Sequence, residues 1–244
     1  ADKIELVNRP IKYQKVIIPE LGYFRMHYYS DQYKKIFDTV VSNAMNCPIL
    51  QLTPVKRIYF SRAHFRKALN SEIGNDLLDN YFERNAFEIL YPEELSLEEM
   101  IYYIQKAESV ATPSGTLSHN LLFAQDGKRT IIVERMALIN EMQVDVDRIK
   151  DLNLTYIDGN WFIYPSVSGG GPFCYAYTRQ FDAFTKDNSM KVPDAYYISD
   201  RYKLRKSNLL NSFLLRFSTA FISSEQVIVP LQADVCAFFL HCLT

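Results

Sequence analysis

The feature that most constrains the fold is a repeated change of hydrophobic period between about residues 52 and 165. Apolar residues recur at helical spacing over 71–84, after Ser96 and over 117–123. Short β-branched and aromatic runs between these stretches predict strands at 57–61, 86–91, 109–112, 130–133 and 154–157. Strands that recur roughly every 20–25 residues and alternate with helices predict βαβ units with right-handed crossovers. The chain is therefore expected to be an α/β protein with a Rossmann-like parallel sheet flanked by helices.

Further patterns locate the start of one helix in this region and predict elements on either side of it. The residues Ser96-Leu97-Glu98-Glu99 fit a capping box, in which Ser96 and Glu99 would satisfy each other's backbone donors. Outside the alternating region, the patterns predict a strand at 16–19 and helices over 30–46, 177–184 and 202–217. The only glycine-rich run, at 169–172, predicts a loop or a boundary.

Charge and cysteine content exclude several classes of protein. The 27 Lys and Arg residues against 28 Asp and Glu residues argue against a dedicated nucleic-acid binder. None of the four cysteines forms a C-x-x-C, so we expect reduced thiols and a cytoplasmic protein. The first 20 residues show no apolar core of a secretory signal peptide. The apolar stretch at 209–222 is interrupted by Asn211 and Arg216, which argues against a membrane-spanning helix.

An amphipathic segment at 209–217 leaves room for peripheral contact with the inner face of a membrane. A helix packed in the protein core is the favoured interpretation of the same pattern. The sequence leaves the oligomeric state open.

A basic loop follows the first predicted strand of the alternating region. It holds Arg62, Arg66 and Lys67, together with His64. Guanidinium groups pair with phosphate oxygens through two hydrogen bonds, so this loop suits a diphosphate. A solvated basic loop without a ligand is the alternative interpretation.

Two more loops follow predicted strands, where ligands bind in open parallel sheets. Ser114, Gly115 and Thr116 form a small turn before a predicted helix, which suits an anion. An ordinary tight turn with Ser114 or Thr116 as the helix cap is equally consistent. In the third loop, Glu93 and Glu94 could accept a sugar hydroxyl or simply favour the first turn of a helix. Neither G-x-G-x-x-G nor a P-loop is present.

The three loops also match a known family in their order and spacing. The stretches are R-I-Y-F-S-R-x-x-x-R-x-x-x-N at 57–70, F-E-I-L-Y-P-E-E-L-S-L-E-E at 87–99 and S-G-T-L-S-H-N-L-L-F at 114–123. This ordered set resembles glycosyltransferase family 61 over roughly residues 55–180. The family includes bacterial capsular-polysaccharide transferases and eukaryotic xylosyl- and N-acetylglucosaminyltransferases.

The resemblance implies a GT-B architecture, in which two Rossmann-like domains face a cleft and the C-terminal one binds a nucleotide-sugar. It also implies an inverting transfer to a carbohydrate acceptor, in surface or capsular polysaccharide synthesis, without a metal bound by D-x-D. No cofactor is then expected beyond the nucleotide-sugar co-substrate. Asp145-Val146-Asp147 has the D-x-D spelling but falls in a predicted helix.

The resemblance further assigns residues to the donor site. Arg62 and Arg66 would face the diphosphate, and Asn120 matches the family's Asn in the following helix. Ser114, Gly115 and Thr116 would lie under the phosphates or the sugar. Many members have a His before the loop glycine, where this chain has Ser114. Together with Glu93, which rests on its position alone, these residues form the predicted donor site.

A complete GT-B enzyme needs two domains, and only about 50 residues precede the α/β region. We therefore expect a partial N-terminal, acceptor-side segment at 1–50 and a nucleotide-sugar-binding domain at 51–190. The remainder, 191–244, would be a C-terminal helical segment.

The sequence does not single out the base that would deprotonate the acceptor hydroxyl. Its candidates are Glu20, His27, His64 and His119. A different class of function stays open, namely a non-catalytic glycan- or protein-binding domain derived from this fold. Another transferase on the same fold is a further alternative.

Overall fold

A computed structural model describes residues 7–18, 20–47, 52–66, 68, 72–161 and 173–195. In chain order its strands are β1 (Tyr23–Phe24), β2 (Tyr28–Tyr29), β3 (Arg57–Phe60), β4 (Glu72–Ile73), β5 (Glu88–Leu90), β6 (Ser109–Pro113), β7 (Arg129–Glu134), β8 (Asn153–Asp158) and β9 (Phe173–Cys174). The α-helices are α1 (Asp31–Met45), α2 (Asn75–Arg84), α3 (Leu97–Lys106), α4 (Glu141–Lys150) and α5 (Arg179–Asp187). Short 3₁₀-helices cover Pro92–Glu94 and Ser118–Phe123.

Five parallel strands form the main sheet in the order β5-β3-β6-β7-β8. The first strand of this sheet along the chain is therefore β3. The next, β5, pairs on one side of β3, and the chain then crosses to the other side of β3 to form β6. The order reverses between β3 and β6, which makes this the topological switch point, where open α/β sheets bind ligands. The predicted parallel α/β sheet is confirmed, while the GT-B arrangement stays a prediction.

Each face of the sheet packs against a separate layer of helices. Tyr59 and Ile131 lie on one face, in a cluster with Tyr81 of α2 and Phe181 of α5. Their chain neighbours point to the opposite face because side chains alternate along a strand, and they pack against α3 and α4. Both layers are apolar, as expected for strands buried on two sides.

Side-chain caps fix where several helices begin. The capping box at the start of α3 is confirmed, since Ser96 accepts from the Glu99 amide and Glu99 from the Ser96 amide. The Ser30 side chain caps α1 by accepting from the Tyr33 amide, and the Thr178 side chain caps α5 by accepting from the Phe181 amide. The Asp145-Val146-Asp147 sequence lies inside α4, as predicted.

The predicted helix over 71–84 is wrong in its first residues, because Glu72–Ile73 is strand β4 and α2 begins at Asn75. Strand β4 pairs in parallel with β9, a partner about 100 residues later in the chain. Gly74 separates the strand from the helix with φ +89, and a Cβ there would lie 2.5 Å from the Tyr175 carbonyl oxygen. Glycine is the residue that tolerates this backbone without strain.

Two other predicted elements differ from the structure in type, and one differs slightly in its bounds. The predicted strand at 16–19 is wrong over residues 16–18, which form no strand and are exposed, Ile18 by 86%. A β-branched run needs a partner strand, and these residues have none among the described parts of the chain. The segment at 117–123 is a 3₁₀-helix rather than an α-helix, and the helix predicted over 177–184 is α5, two residues later.

The predicted loop at 169–172 and helix over 202–217 lie outside the described residues. Within the described ranges, no helix has both the length and the apolar character that crossing a bilayer requires.

Pairing of β1 with β2 was not predicted. The segment that they form sits on α4, because the Tyr23 hydroxyl and the Met26 amide donate to Asp145 at 2.7 and 2.9 Å. Asp145 is thereby a structural acceptor for the N-terminal segment rather than part of an open carboxylate pair.

Candidate functional site at the carboxyl edge of the sheet

The topology brings two of the three predicted loops together. The loop after β3, which begins at Ser61, and the loop after β6, which begins at Ser114, emerge from neighbouring strands on the two sides of the switch point. The third loop follows β5 and is tied to the first by a hydrogen bond from the Ser61 amide to the Leu90 carbonyl, at 2.8 Å. The carboxyl edge of the sheet is therefore the candidate site.

A buried ion cluster forms the centre of this edge. Arg62 donates through Nε and Nη2 to Glu72 Oε1, at 3.1 and 2.9 Å, and Arg135 Nη1 donates to the same oxygen at 2.7 Å. Side-chain exposure is 1% for Glu72, 12% for Arg62 and 11% for Arg135. One carboxylate thus holds two guanidinium groups, and the cluster keeps one net positive charge.

Strand pairing and ring contacts hold the cluster in place. Glu72 is fixed by the pairing of β4 with β9, in which it lies opposite Phe173. The Arg135 guanidinium stacks 4.1 Å from the centre of the Phe173 ring, and Arg62 lies 4.9 Å from the ring centre of Phe65. These cation–π contacts stabilise the two guanidinium groups, and such contacts are stronger when the cation is shielded from water. The Nε–H of Arg135 is buried and has no acceptor among the described residues.

Gly115 is where the β6 loop meets this cluster. Its φ is +128, and a Cβ added there would lie 2.5 Å from Arg135 Nη2. The neighbouring Ser114 hydroxyl accepts from the Arg135 amide at 3.2 Å, and Ser118 Oγ donates to the Gly115 carbonyl at 2.7 Å. Glycine is required at 115 for both its backbone conformation and its lack of a side chain.

The other predicted donor residues lie around this centre. Thr116 is exposed, and Asn120 is half-buried in the 3₁₀-helix. Arg66 is exposed in the β3 loop, and Glu93 is exposed in the 3₁₀-helix after β5. The six-residue 3₁₀-helix after Ser114 aligns fewer peptide dipoles than the predicted α-helix would.

A buried acid, Glu134, and a half-buried acid, Asp79, lie near the cluster. Burial raises the pKa of Glu134, at the end of β7, to about 7, and the Ser114 hydroxyl and Arg135 offset only part of this effect. Burial likewise raises the pKa of Asp79 on α2 to about 6, although the hydroxyls of Ser61 and Tyr91 face its carboxyl group. Perturbed acids of this kind are typical of functional sites.

Of the four base candidates, His64 is held by a carboxylate. Its Nδ1 lies 2.7 Å from Glu94 Oε1, and its ring stacks on Tyr91 with centroids 3.7 Å apart. Because one ring nitrogen faces Glu94, the other is left to face outward from the loop.

The three remaining base candidates have different surroundings. His119 is half-buried with no partner for Nε2, and burial lowers its pKa. His27 stacks on Phe24 next to β1, far along the chain from the switch point. Glu20 is exposed in the N-terminal segment. Among the described residues, no group of three or more His, Cys, Asp or Glu side chains could hold a metal ion.

Sequence reasoning missed Glu72 and Arg135. Arg135 directly follows β7, and a charged residue after a buried parallel strand is a signal that could have pointed to it. Glu72 carried no such signal, because it was assigned to a helix and its partner strand lies far along the chain.

Comparison with sequence models of protein families places this site within a matched region. The sequence model described as Glycosyltransferase 61 matches residues 5–133, just over half of the chain. The matched region includes β3 to β7 almost entirely and therefore both loops at the switch point. No curated protein matches the chain.

Proposed function

The chain belongs to glycosyltransferase family 61, and we propose that it transfers a sugar from a nucleoside-diphosphate sugar to a carbohydrate acceptor with inversion. The observation that carries the proposal is the convergence of Arg62 and Arg135 on Glu72 at the switch point. A cluster with one net positive charge, placed where α/β sheets bind nucleotides, suits the diphosphate of such a donor.

The two arginines would act mainly on the leaving group. Negative charge grows on the diphosphate as the bond to the sugar breaks, and fixed cations nearby lower the energy of that transition state. Glu72 holds both guanidinium groups in one arrangement before the donor binds, so little reorganisation is needed. The Nε–H of Arg135 remains available as a donor. Arg66, Thr116 and Asn120 would contact the outer parts of the donor.

Inversion requires a base that accepts the proton of the attacking hydroxyl. We assign this role to His64, since Glu94 orients its ring and the loop that carries it borders the switch point. Glu93, one residue before Glu94, would accept a hydroxyl of the ribose or the sugar.

Further parts of the proposal have other grounds. A GT-B arrangement, catalysis without a metal ion and a role in surface polysaccharide synthesis rest on the family resemblance, and a cytoplasmic location rests on the cysteine pattern. A non-catalytic binding domain is the second candidate, and Ser114 in the place of the family's usual His favours it.

Calorimetry with UDP, GDP, CMP and their common sugar conjugates tests the donor site. We expect one nucleotide to bind, and Arg62→Gln and Arg135→Gln each to weaken it by about 1.5–3 kcal/mol, the range for hydrogen bonds to charged groups. Arg148→Gln, an exposed arginine on α4, is the matched control and should leave binding unchanged. Absence of binding to every nucleotide by folded protein would exclude the donor site.

Turnover of the bound donor, followed by mass spectrometry, tests the base. His64→Gln should lower kcat about 100-fold or more while nucleotide affinity stays the same. Glu94→Gln should lower kcat by a smaller factor, because it removes the group that orients the ring rather than the base itself. An unchanged kcat in His64→Gln would exclude the base assignment and leave the donor site intact.

A further inference from the structure

The opposite, amino edge of the same sheet carries a second pair of arginines. Arg57 begins β3 and lies in register with Ser109 of β6, and Ser109 lies in register with Arg129 of β7. The three residues therefore form one row across three neighbouring strands. Residues in register point to the same face of a sheet, so two guanidinium groups and one hydroxyl share a face.

This row lies at the rim of a pocket of about 190 Å³. Its apolar wall is formed by Phe87, Ile131 and Met190, and Asn188 at the end of α5 adds a polar group. Drug-sized ligands occupy pockets of about 300–1,000 Å³, so this one suits a smaller molecule.

Asn188 donates to the Phe184 carbonyl at 2.9 Å, but the Ser109 hydroxyl and the two guanidinium groups of the pocket are short of partners among the described residues. Ser109 is 5% exposed, and its Oγ makes no hydrogen bond with any described residue. Arg57 donates to the Asn85 carbonyl at 3.5 Å and lies 5.9 Å from the centre of the Phe87 ring, and no described carboxylate forms an ion pair with Arg57 or Arg129. A buried hydroxyl without a partner costs free energy, which an incoming ligand would recover.

The helices that end at this edge reduce the positive charge only in part. The carboxyl ends of α2 and α5 both lie here, and a helix end carries about half a negative charge at most. Two full positive charges therefore still exceed the helix contribution, and the pocket favours an anion.

We propose that this pocket binds a small phosphate monoester. The phosphate would lie between Arg57 and Arg129 and accept from the Ser109 hydroxyl, while the organic part packs against Phe87, Ile131 and Met190. This pocket is separate from the donor site, because the two lie at opposite ends of the same strands. The five residues of β6 alone span about 16 Å at the usual rise per residue.

Geometry favours phosphate over carboxylate at this position. Arg57 and Arg129 start from strands on either side of β6, about 9–10 Å apart at the usual strand spacing. A tetrahedral phosphate offers oxygens to two guanidinium groups on opposite sides and to a third donor as well. A carboxylate has two oxygens in one plane, which match a single guanidinium fork.

Phenyl phosphate is the test ligand, measured by calorimetry and by the amide shifts of residues 109 and 129 in NMR spectra of the full chain. We expect saturable binding that Arg57→Gln and Arg129→Gln each weaken about tenfold, as for the loss of a charge-assisted hydrogen bond. Ser109→Ala should weaken it by a smaller factor. Benzoate, which has the same ring and a carboxylate, should bind more weakly than phenyl phosphate.

Two control variants separate this site from other sources of binding. Arg179→Gln changes an exposed arginine on α5 and should not weaken phenyl phosphate binding. Arg62→Gln changes the donor site and, measured on protein shown by circular dichroism to be folded, should not weaken it either. The proposal is overturned by absent binding to folded protein, by an equal loss in Arg179→Gln, by a loss confined to Arg62→Gln, or by benzoate binding at least as tightly. If the protein binds phenyl phosphate but no nucleotide, the result counts against the donor site alone.

Discussion

Arginines at the two edges of the main sheet have opposite environments. At the carboxyl edge, Arg62 and Arg135 are buried and share the carboxylate of Glu72. At the amino edge, Arg57 and Arg129 are exposed, and no described carboxylate pairs with them. A buried cation requires a counter-charge, since desolvation alone would cost several kcal/mol, whereas water solvates an exposed one.

The difference also separates stability from binding capacity. The carboxyl edge is arranged before any ligand arrives, and its parts depend on one another for their charge balance. The amino edge costs little to maintain, because its guanidinium groups stay in contact with water and need no counter-charge. We expect mutations at the carboxyl edge to lower the free energy of unfolding as well as the affinity for the donor, and mutations at the amino edge to affect ligand binding with little change in stability.

Glu72→Gln should show the largest effect. It leaves two buried guanidinium groups without their carboxylate, and breaking a buried ion pair in this way costs about 3–5 kcal/mol. Urea unfolding followed by circular dichroism gives the free energy of unfolding. Arg57→Gln and Arg129→Gln should each change it by about 0.5 kcal/mol or less, as exposed substitutions do. Similar losses at both edges would contradict the comparison.

Gly115→Ala should show the next largest effect, about 2–3 kcal/mol, because the methyl group meets Arg135 and the backbone has a positive φ. Gly127→Ala is a matched control, since Gly127 also has a positive φ, +72, but nothing lies within 4 Å of its Cβ position. The difference between the two variants measures the contact with Arg135 together with the greater backbone strain at φ +128, since φ +72 lies near the left-handed region that alanine can adopt. Equal losses would mean that the contact with Arg135 adds nothing.

A dependence on pH should be the smallest effect and should appear at the carboxyl edge. Burial raises the pKa of Asp79 to about 6, so folding favours the protonated form. This contribution to stability is complete below the ordinary pKa of an aspartate and is lost as the pH rises through 6. The free energy of unfolding should fall by on the order of 2 kcal/mol between pH 4 and 7 from this group.

Asp79→Asn should remove that fall, and unfolding of both proteins across this pH range measures the difference. Asp187→Asn, an exposed aspartate at the end of α5, serves as the control and should leave the slope unchanged. Parallel pH curves for wild type and Asp79→Asn would show that the carboxyl group ionises normally.

Local patterns predicted the sheet well. Each of the runs at 57–61, 86–91, 109–112, 130–133 and 154–157 contains or overlaps a strand of the main sheet. The capping box at Ser96 and the helix over 30–46 were also predictable, because their signals lie within one turn or one face. The two loops at the switch point followed from strand order and the location of ligand sites in parallel sheets.

The centre of the site was not predictable in the same way. Glu72 pairs with Arg62, ten residues away, and with Arg135, 63 residues away, and β4 depends on β9 for its pairing. No spacing rule connects residues at such separations. The predicted helix at 71–84 failed at its start for the same reason, since a tertiary strand pairing took Glu72 and Ile73 from the helix.

The pairing of β4 with β9 has a consequence for how the protein is made. Synthesis proceeds from the amino terminus at about 5–20 residues per second, and β3, β5, β6, β7 and β8 all precede β9 in the chain. The main sheet can therefore assemble on the ribosome while Glu72 still lacks the strand that holds it. We therefore expect the ion cluster to reach its final arrangement only after Phe173 and Cys174 have left the ribosome, later than the main sheet.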